Sequence, residues 1–326
     1  MIQAILRVIS AILTFGMMLY GSVLGINFND TIGNYKDNVE KVAYENDFDT
    51  ALPQTEIYSI VQNFYNAPLP EGKTEKKVAV IGFDGCRADI LSLMGSEDTS
   101  AIKTLKNQGG NLVLSYCGGV NYPAFNTQAT STAPGWCSMV TGEWADVHGV
   151  TDNSIPMKLT KHTLFTSLIE EGKADATAFY VSWGGHFSGD DSTYSTELAY
   201  IQQNNLNATF LKANDDAGTV SNTLADINRT DCSDFIFCII EANDHVGHDT
   251  GFCPANPDQA VIFAEAEGEA LQMIHAIENR ATYNTEDWLI LITADHGGYN
   301  TGHGFVTMME RYTFIASNKP IIATEK

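Results

Sequence analysis

Trp288-Leu-Ile-Leu-Ile-Thr293, then Ala294-Asp295-His296-Gly297-Gly298, then Tyr299-Asn-Thr-Gly-His303-Gly304 is the stretch on which the reading of this chain turns. Its first part is a short, continuous apolar run, the pattern of a strand buried on both faces, as in a parallel sheet covered by helices. Such a strand has no structural reason to end in an acid and an imidazole. In open α/β sheets ligands bind outside the carboxyl ends of the strands. Asp295 and His296, followed by glycines and a second His, therefore read as metal ligands on a loop. An ordinary turn is the alternative from this stretch alone.

Two further buried strands end in the same way. Lys76-Lys-Val-Ala-Val-Ile-Gly-Phe83 runs into Asp84-Gly85, and Phe235-Ile-Phe-Cys-Ile-Ile240 runs into Glu241-Ala-Asn-Asp244-His-Val-Gly-His248. One such coincidence is cheap, but three place several oxygen and nitrogen ligands on one sheet edge. Between these strands lie helical patterns at Ala88 to Met94, Ala101 to Asn107, Pro134 to Val140, Leu164 to Glu171, Val220 to Ile227 and Asp258 to Arg280. Further strands are predicted at Asn111 to Tyr116, Thr177 to Ser182 and Tyr312 to Ala316. Alternating strands and helices predict an α/β fold, a three-layer sandwich with a mostly parallel central sheet and helices on both faces.

At 326 residues the chain can bury a large core, and its apolar fraction of 44% is that of a globular protein. A net charge of −22 excludes the basic face that nucleic-acid binding needs. Residues 1–25 carry Arg7 as their single charge and are otherwise almost wholly apolar or small, which reads as a signal peptide or an uncleaved N-terminal anchor. Residues 26–75 read as a lead-in segment with one short amphipathic piece, Ile57 to Tyr65, and residues 76–326 as the catalytic domain, left open as C-terminally incomplete. Export with the domain outside the cytoplasm is the expected localisation, and residues 1–25 offer membrane attachment.

The six cysteines, Cys86, Cys117, Cys137, Cys232, Cys238 and Cys253, show no zinc spacing. Cys232 and Cys253 flank one strand and form a candidate disulfide; free buried thiols are the alternative.

A two-zinc hydrolytic site takes about six protein ligands of mixed His and carboxylate type. The candidates are Asp84, Asp244, His248, Asp295, His296 and His303. The spacing Asp244-x-x-x-His248 suits one loop folded over an ion. Manganese or iron would also accept this donor set. Arg87 is the one basic side chain near these motifs, and it reads as a helix anchor or the partner of an acid.

These residues resemble a family. Phe83-Asp84-Gly85, Asp244-x-x-Gly247-His248 and Asp295-His296-Gly297 are similar to motifs of the alkaline phosphatase superfamily, and most of all to its nucleotide pyrophosphatases/phosphodiesterases. That group carries Thr-x-Pro, then Thr-Gly, then His-Gly-x-x-Asp-Asn. Here the chain reads Thr132-Ala-Pro134, Thr141-Gly142 and His148-Gly-Val-Thr-Asp152-Asn153. The resemblance implies that Asp84, Thr132, Asp295 and His296 surround one zinc, and that Asp244, His248 and His303 hold the other. It implies catalytic roles for Thr132 as nucleophile and Asn153 as a donor to the phosphoryl oxygen. In the family the last His usually comes from far downstream, whereas His303 is the only His after His296 in this chain.

The implied activity is hydrolysis of phosphodiester or pyrophosphate bonds in a small phosphate ester, a nucleotide or a phospholipid head group. Transfer of a phospho-alcohol group of the phosphoethanolamine type within the cell envelope is the alternative, as is a sulfatase-like hydrolase. The sulfatase pattern Cys-x-Pro-x-Arg puts Thr132 at the Cys and Trp136 at the Arg, so its formylglycine precursor is absent. A thiol-free ligand set, a Thr at a helix start and a nearby amide suit a metal-activated alcohol nucleophile.

Overall fold

The computed structural model describes residues 51–118, 128–154, 158–187 and 189–321. The expectations for residues 1–50, including the signal or anchor segment, lie outside the described residues.

The chain enters through β1 (Leu52–Pro53) and α1 (Glu56–Asn66), then β2 (Glu75–Phe83), a 3-10 turn at Ala88–Leu93, α2 (Ala101–Asn107) and β3 (Leu112–Tyr116). After residues 119–127 come α3 (Thr132–Thr141), α4 (Ala145–His148), α5 (Leu164–Glu170), β4 (Thr177–Val181), α6 (Ser195–Asn204) and β5 (Ala208–Lys212). The remainder is α7 (Asp216–Ile227), β6 (Phe235–Ile240), α8 (Ala242–Thr250), α9 (Pro257–Glu278), β7 (Glu286–Thr293), α10 (Met308–Arg311) and β8 (Tyr312–Ser317).

The strands form one eight-stranded sheet in the order β1-β3-β8-β7-β2-β6-β4-β5. All pairs are parallel except those of β8, which runs antiparallel to both β3 and β7. Side chains alternate between the faces with period two. Ala79, Ile81 and Phe83 of β2 join Trp288, Ile290 and Ile292 of β7 in the core beneath α2, α7 and α9. Val78 and Val80 join Leu289 and Leu291 in the opposite core beneath α1, α3 and α5. Two cores, one on each face, make the three-layer α/β sandwich that the sequence predicts, with a mostly parallel sheet.

The amphipathic piece is the helix α1, and its Ile57 and Val61 are fully buried in the same core as α3. Several features differ from the sequence reading. Asp244 and His248 lie on a helix, α8, rather than a loop. The i,i+4 spacing puts both on one helical face. All six cysteines are buried thiols, and no disulfide joins Cys232 to Cys253. The edge elements β5 and α6 leave no clear pattern in the sequence, because their burial is broken and largely exposed.

α3 packs within the core against α1 and α5. Every one of its residues is buried, and it ends at Gly142, whose φ of +72° provides the left-handed cap that a side chain disfavours. His148 braces it. Its Nδ1 accepts from the Val150 amide at 3.1 Å, so its Nε2 carries the proton and donates to Ser138 Oγ at 3.1 Å. His148 is fully buried, and burial pushes its imidazole down to about 4.

A buried neutral His costs stability in acid, because the unfolded chain binds the proton more readily. Stability from this residue is complete above the ordinary His value of 6.5 and is lost as pH falls toward 4, by roughly 3 kcal/mol. We expect the unfolding free energy of the chelator-treated protein, read from urea titrations, to fall between pH 7 and pH 4, and the fall to be smaller by about that amount in His148→Gln. Equal pH slopes in the two proteins would contradict the assignment.

Candidate metal and nucleophile site

Three strand ends build the site. Asp84 follows β2, and its amide donates to the Ile240 carbonyl at 2.9 Å, continuing the ladder one residue past the strand. Asp295 and His296 follow β7, the parallel neighbour of β2. Asp244 sits in the first turn of α8, just past β6 on the other side of β2. Gly85, at φ +67°, turns the chain so tightly that a Cβ there would lie 2.8 Å from the Asp244 backbone. Its amide donates to Asp295 Oδ1 at 3.1 Å.

Two sets of ligand atoms converge, Asp84 with Asp295 and His296, and Asp244 with His296 and His303, each within 4.8 Å. His248 joins the second set: its Nε2 lies 3.3 Å from Asp244 Oδ2 and 3.1 Å from His303 Nε2. The far ring nitrogens are fixed by backbone. His248 Nδ1 donates to the Thr301 carbonyl, His296 Nδ1 to Gly297 and His303 Nδ1 to Thr130, at 2.8–2.9 Å. That leaves the Nε2 of His296 and of His303 as lone-pair donors facing the cluster, the arrangement seen around metal-bound imidazoles, while His248 Nε2 donates to Asp244 Oδ2. All six candidate ligands are thus brought together.

Thr132 is the first residue of α3. Its Oγ1 lies 3.5 Å from Asp84 Oδ1 and 3.5 Å from Asn153 Nδ2. Asn153 Oδ1 accepts from the Ala133 amide at 2.8 Å, which orients the carboxamide with its amino group toward Thr132. Ser131, the N-cap, makes no side-chain cap bond, so Asn153 takes over that duty.

The electrostatics suit a cation. Burial raises the Asp84 and Asp295 carboxyls well above their usual range, and the repulsion of neighbouring carboxylates adds to it. Burial also pushes Asp244 up, but the hydrogen bond from His248, together with the electrostatic influence of the three imidazoles around it, outweighs it and holds it down. The same bond lifts His248 to about 9, while burial drives His296 down to about 3 and lowers His303. Asp244 Oδ1, Asp295 Oδ2 and His296 Nε2 are buried and lack any hydrogen-bond partner among the described residues. Orphaned atoms of this kind are costly unless something fills the space between them. A mixed carboxylate and imidazole set without thiolate fits a divalent transition metal.

Two partners of the site were not legible in sequence. Trp136 is fully buried against Phe237, and its Nε1 donates to Asp84 Oδ2 at 3.0 Å. Gln54 is fully buried and donates to the carbonyls of Gly135 and Asp295. No local motif marks either one; only distance in the fold does. Arg87 is not free to reach the site: its guanidinium grips Asp89 at 2.7–2.8 Å and also donates to the Phe252 carbonyl. Further along the same sheet edge, a cavity of about 620 Å³ is lined by Trp183, Asp216, Glu241 and His245 among others. His186, from the Gly-rich stretch after Trp183, is fully buried beside Phe179 and Tyr194, away from the ligands.

A model of the type I phosphodiesterase / nucleotide pyrophosphatase family matches residues 78–312. Among solved structures the chain is similar to murine ectonucleotide pyrophosphatase / phosphodiesterase 5, with 19% identity, 68% of this chain and 57% of that chain covered, and a TM-score of 0.48. It is also similar to a 2-O GAG sulfatase, with 11% identity, 76% and 65% covered, and a TM-score of 0.49. A third is the phosphonate monoester hydrolase of Agrobacterium radiobacter, with 12% identity, 74% and 68% covered, and a TM-score of 0.47. The chain thus spans 57% of the length of the murine protein.

The geometry generates two linked expectations. Elemental analysis of purified protein should find about two transition-metal ions per chain, and about one in His303→Ala. In chelator, where Asp84 and Asp295 repel each other uncompensated, Asp295→Asn should raise the melting temperature while abolishing metal retention. A metal-free active protein, or a chelated Asp295→Asn less stable than wild type, would refute the reading.

Proposed function

The chain belongs to the type I phosphodiesterase / nucleotide pyrophosphatase family of the alkaline phosphatase superfamily, and from that membership we propose that it hydrolyses phosphodiester or pyrophosphate bonds through a covalent phospho-Thr132 intermediate. Two zinc ions are the proposed cofactors, one held by Asp84, Asp295, His296 and Thr132, the other by Asp244, His248 and His303. When bound, they lower the pKa of the Thr132 hydroxyl and neutralise charge on the phosphoryl oxygens.

The single observation that carries this reading is the placement of Thr132. It is a weak nucleophile by itself, yet it stands at the N-terminus of a fully buried helix, in contact with Asp84 and Asn153. The helix dipole favours both an alkoxide and a phosphoryl group there. Asn153 Nδ2, oriented by its own bond to Ala133, donates to charge that develops next to Thr132. Asp84 is held by Trp136 and Asp295 by Gly85, so neither ligand has freedom to follow the substrate. Attack by Thr132 forms the phospho-enzyme and releases the alcohol or phosphate leaving group; water then cleaves the ester and restores the hydroxyl.

Export belongs to the same proposal and rests on residues 1–25 of the sequence.

Thr132→Ala should abolish turnover while most of the metal stays bound, since the other ligands remain. Thr132→Ser should retain part of the activity. Wild-type rates in Thr132→Ala would mean that water, not Thr132, attacks. The substrate preference follows from charge. A phosphate monoester is a dianion and calls for a cation beyond the metals, and Arg87 is already engaged by Asp89. We therefore expect bis-p-nitrophenyl phosphate to be turned over with the higher kcat/KM than p-nitrophenyl phosphate on one preparation. A clear monoester preference would overturn that expectation.

A further inference from the structure

We propose that Gln54 is a positioning residue that sets the spacing between the helix of the nucleophile and the ligand-bearing end of β7, a role that rests on the reading of Thr132 given above. Gln54 precedes the family match at residues 78–312 and no sequence motif contains it. Its backbone is pinned on both sides. The Gln54 amide donates to the Tyr116 carbonyl at 3.0 Å, and its own carbonyl accepts from Ile57 at the start of α1 at 3.2 Å. The side chain then reaches into a fully buried space, and its amino group divides its two protons between Gly135 O at 3.2 Å and Asp295 O at 3.1 Å.

Those two carbonyls belong to the two pieces whose distance matters. Gly135 is in the first turn of α3, three residues past Thr132, and Asp295 is itself a candidate ligand. The surfaces touch where Gln54 joins them: a Cβ on Gly135 would meet Asp295 Cβ at 2.8 Å. A glycine on one side and a two-pronged amide on the other hold α3 and β7 closer than ordinary side chains allow. One planar amide contacting both carbonyls fixes their separation, whereas two independent donors would not. Thr132 Oγ1 can approach the Asp84, Asp295 and His296 cluster only if that separation is kept. An offset of about 1 Å in a reacting group can cost about a hundredfold in rate.

A merely structural Gln54 would satisfy a buried carbonyl and nothing more, so the test reads coupling rather than stability. Zinc alone is titrated into ion-free protein by chelator competition for wild type, Thr132→Ala, Gln54→Met and the double variant. If Gln54 holds Thr132 in place, the factor by which Thr132→Ala weakens zinc binding in wild type shrinks to less than its square root in the Gln54→Met background, since residues in one network are non-additive. In parallel, kcat for bis-p-nitrophenyl phosphate falls by about ten- to a hundredfold in Gln54→Met, with KM changed less than about threefold. Gly135→Ala, which forces the same surfaces apart and leaves Gln54 intact, gives the same zinc result and serves if Gln54→Met does not fold. Equal Thr132→Ala factors in both backgrounds, or no effect of Thr132→Ala at all, overturn the proposal. So does wild-type kcat in Gln54→Met. If wild type itself fails to cleave the diester, the proposed function fails, and the zinc cycle still decides on Gln54.

Discussion

Asp84 and Asp295 stand at the ends of β2 and β7, neighbouring parallel strands that pair residue for residue from Glu75 with Glu286 to Gly82 with Thr293. The pairing leaves the two carboxylates no way to part, and both are buried to within 1% of full enclosure. Two like charges at about 4 Å repel by on the order of 4 kcal/mol at an effective dielectric of 20, before desolvation is counted. The fold accepts this repulsion at one point and spends nearly all of β2, β6 and β7 on apolar burial on both faces. That burial is what makes the strand ends immobile, and immobility keeps the oxygens facing each other when no cation separates them. The three-layer architecture and the site are in this sense one structure.

How much of this the sequence disclosed depends on how local each feature is. β2, β6 and β7 were legible because a strand buried on both faces writes itself as an unbroken apolar run, and β6 was bounded to the residue. The six ligand candidates stand out in the sequence because each follows the end of such a strand by no more than ten residues. The direction of β8 was not, since period-two burial is identical for parallel and antiparallel neighbours. α8 was read as a loop because Gly247 and four ionisable residues mask any apolar stripe; its helical form comes from packing against α9 and Phe252, whose ring lies where a Cβ on Gly247 would be. Gln54 and Trp136 were illegible for a simpler reason. They act on groups 241 and 52 residues away, and nothing in the intervening sequence records the contact.

Helix α3 shows how the pieces constrain each other. A helix start leaves amides without partners, and the usual remedy is the hydroxyl of the N-cap residue. Ser131 does not provide it; the side chain of Asn153 does, from twenty residues downstream of Ala133. This substitution has a consequence for orientation. A carboxamide whose oxygen is committed to an amide N–H must turn its amino group the other way, and here that way is toward Thr132. The cap and the hydrogen-bond donor beside the Thr132 hydroxyl are the same group, so whatever disturbs the first turn of α3 also misdirects the donor. Trp136 ties the next turn of the helix to Asp84, and the indole occupies the space that the missing Cβ of Gly82 leaves on β2. α3 is thereby fastened at its cap by Asn153, at its first turn by Gln54 and one residue further by Trp136. Thr132 stands at the N-terminal end of that fastened segment, so a shift of the helix start relative to Asp84 must strain or break at least one of those bonds.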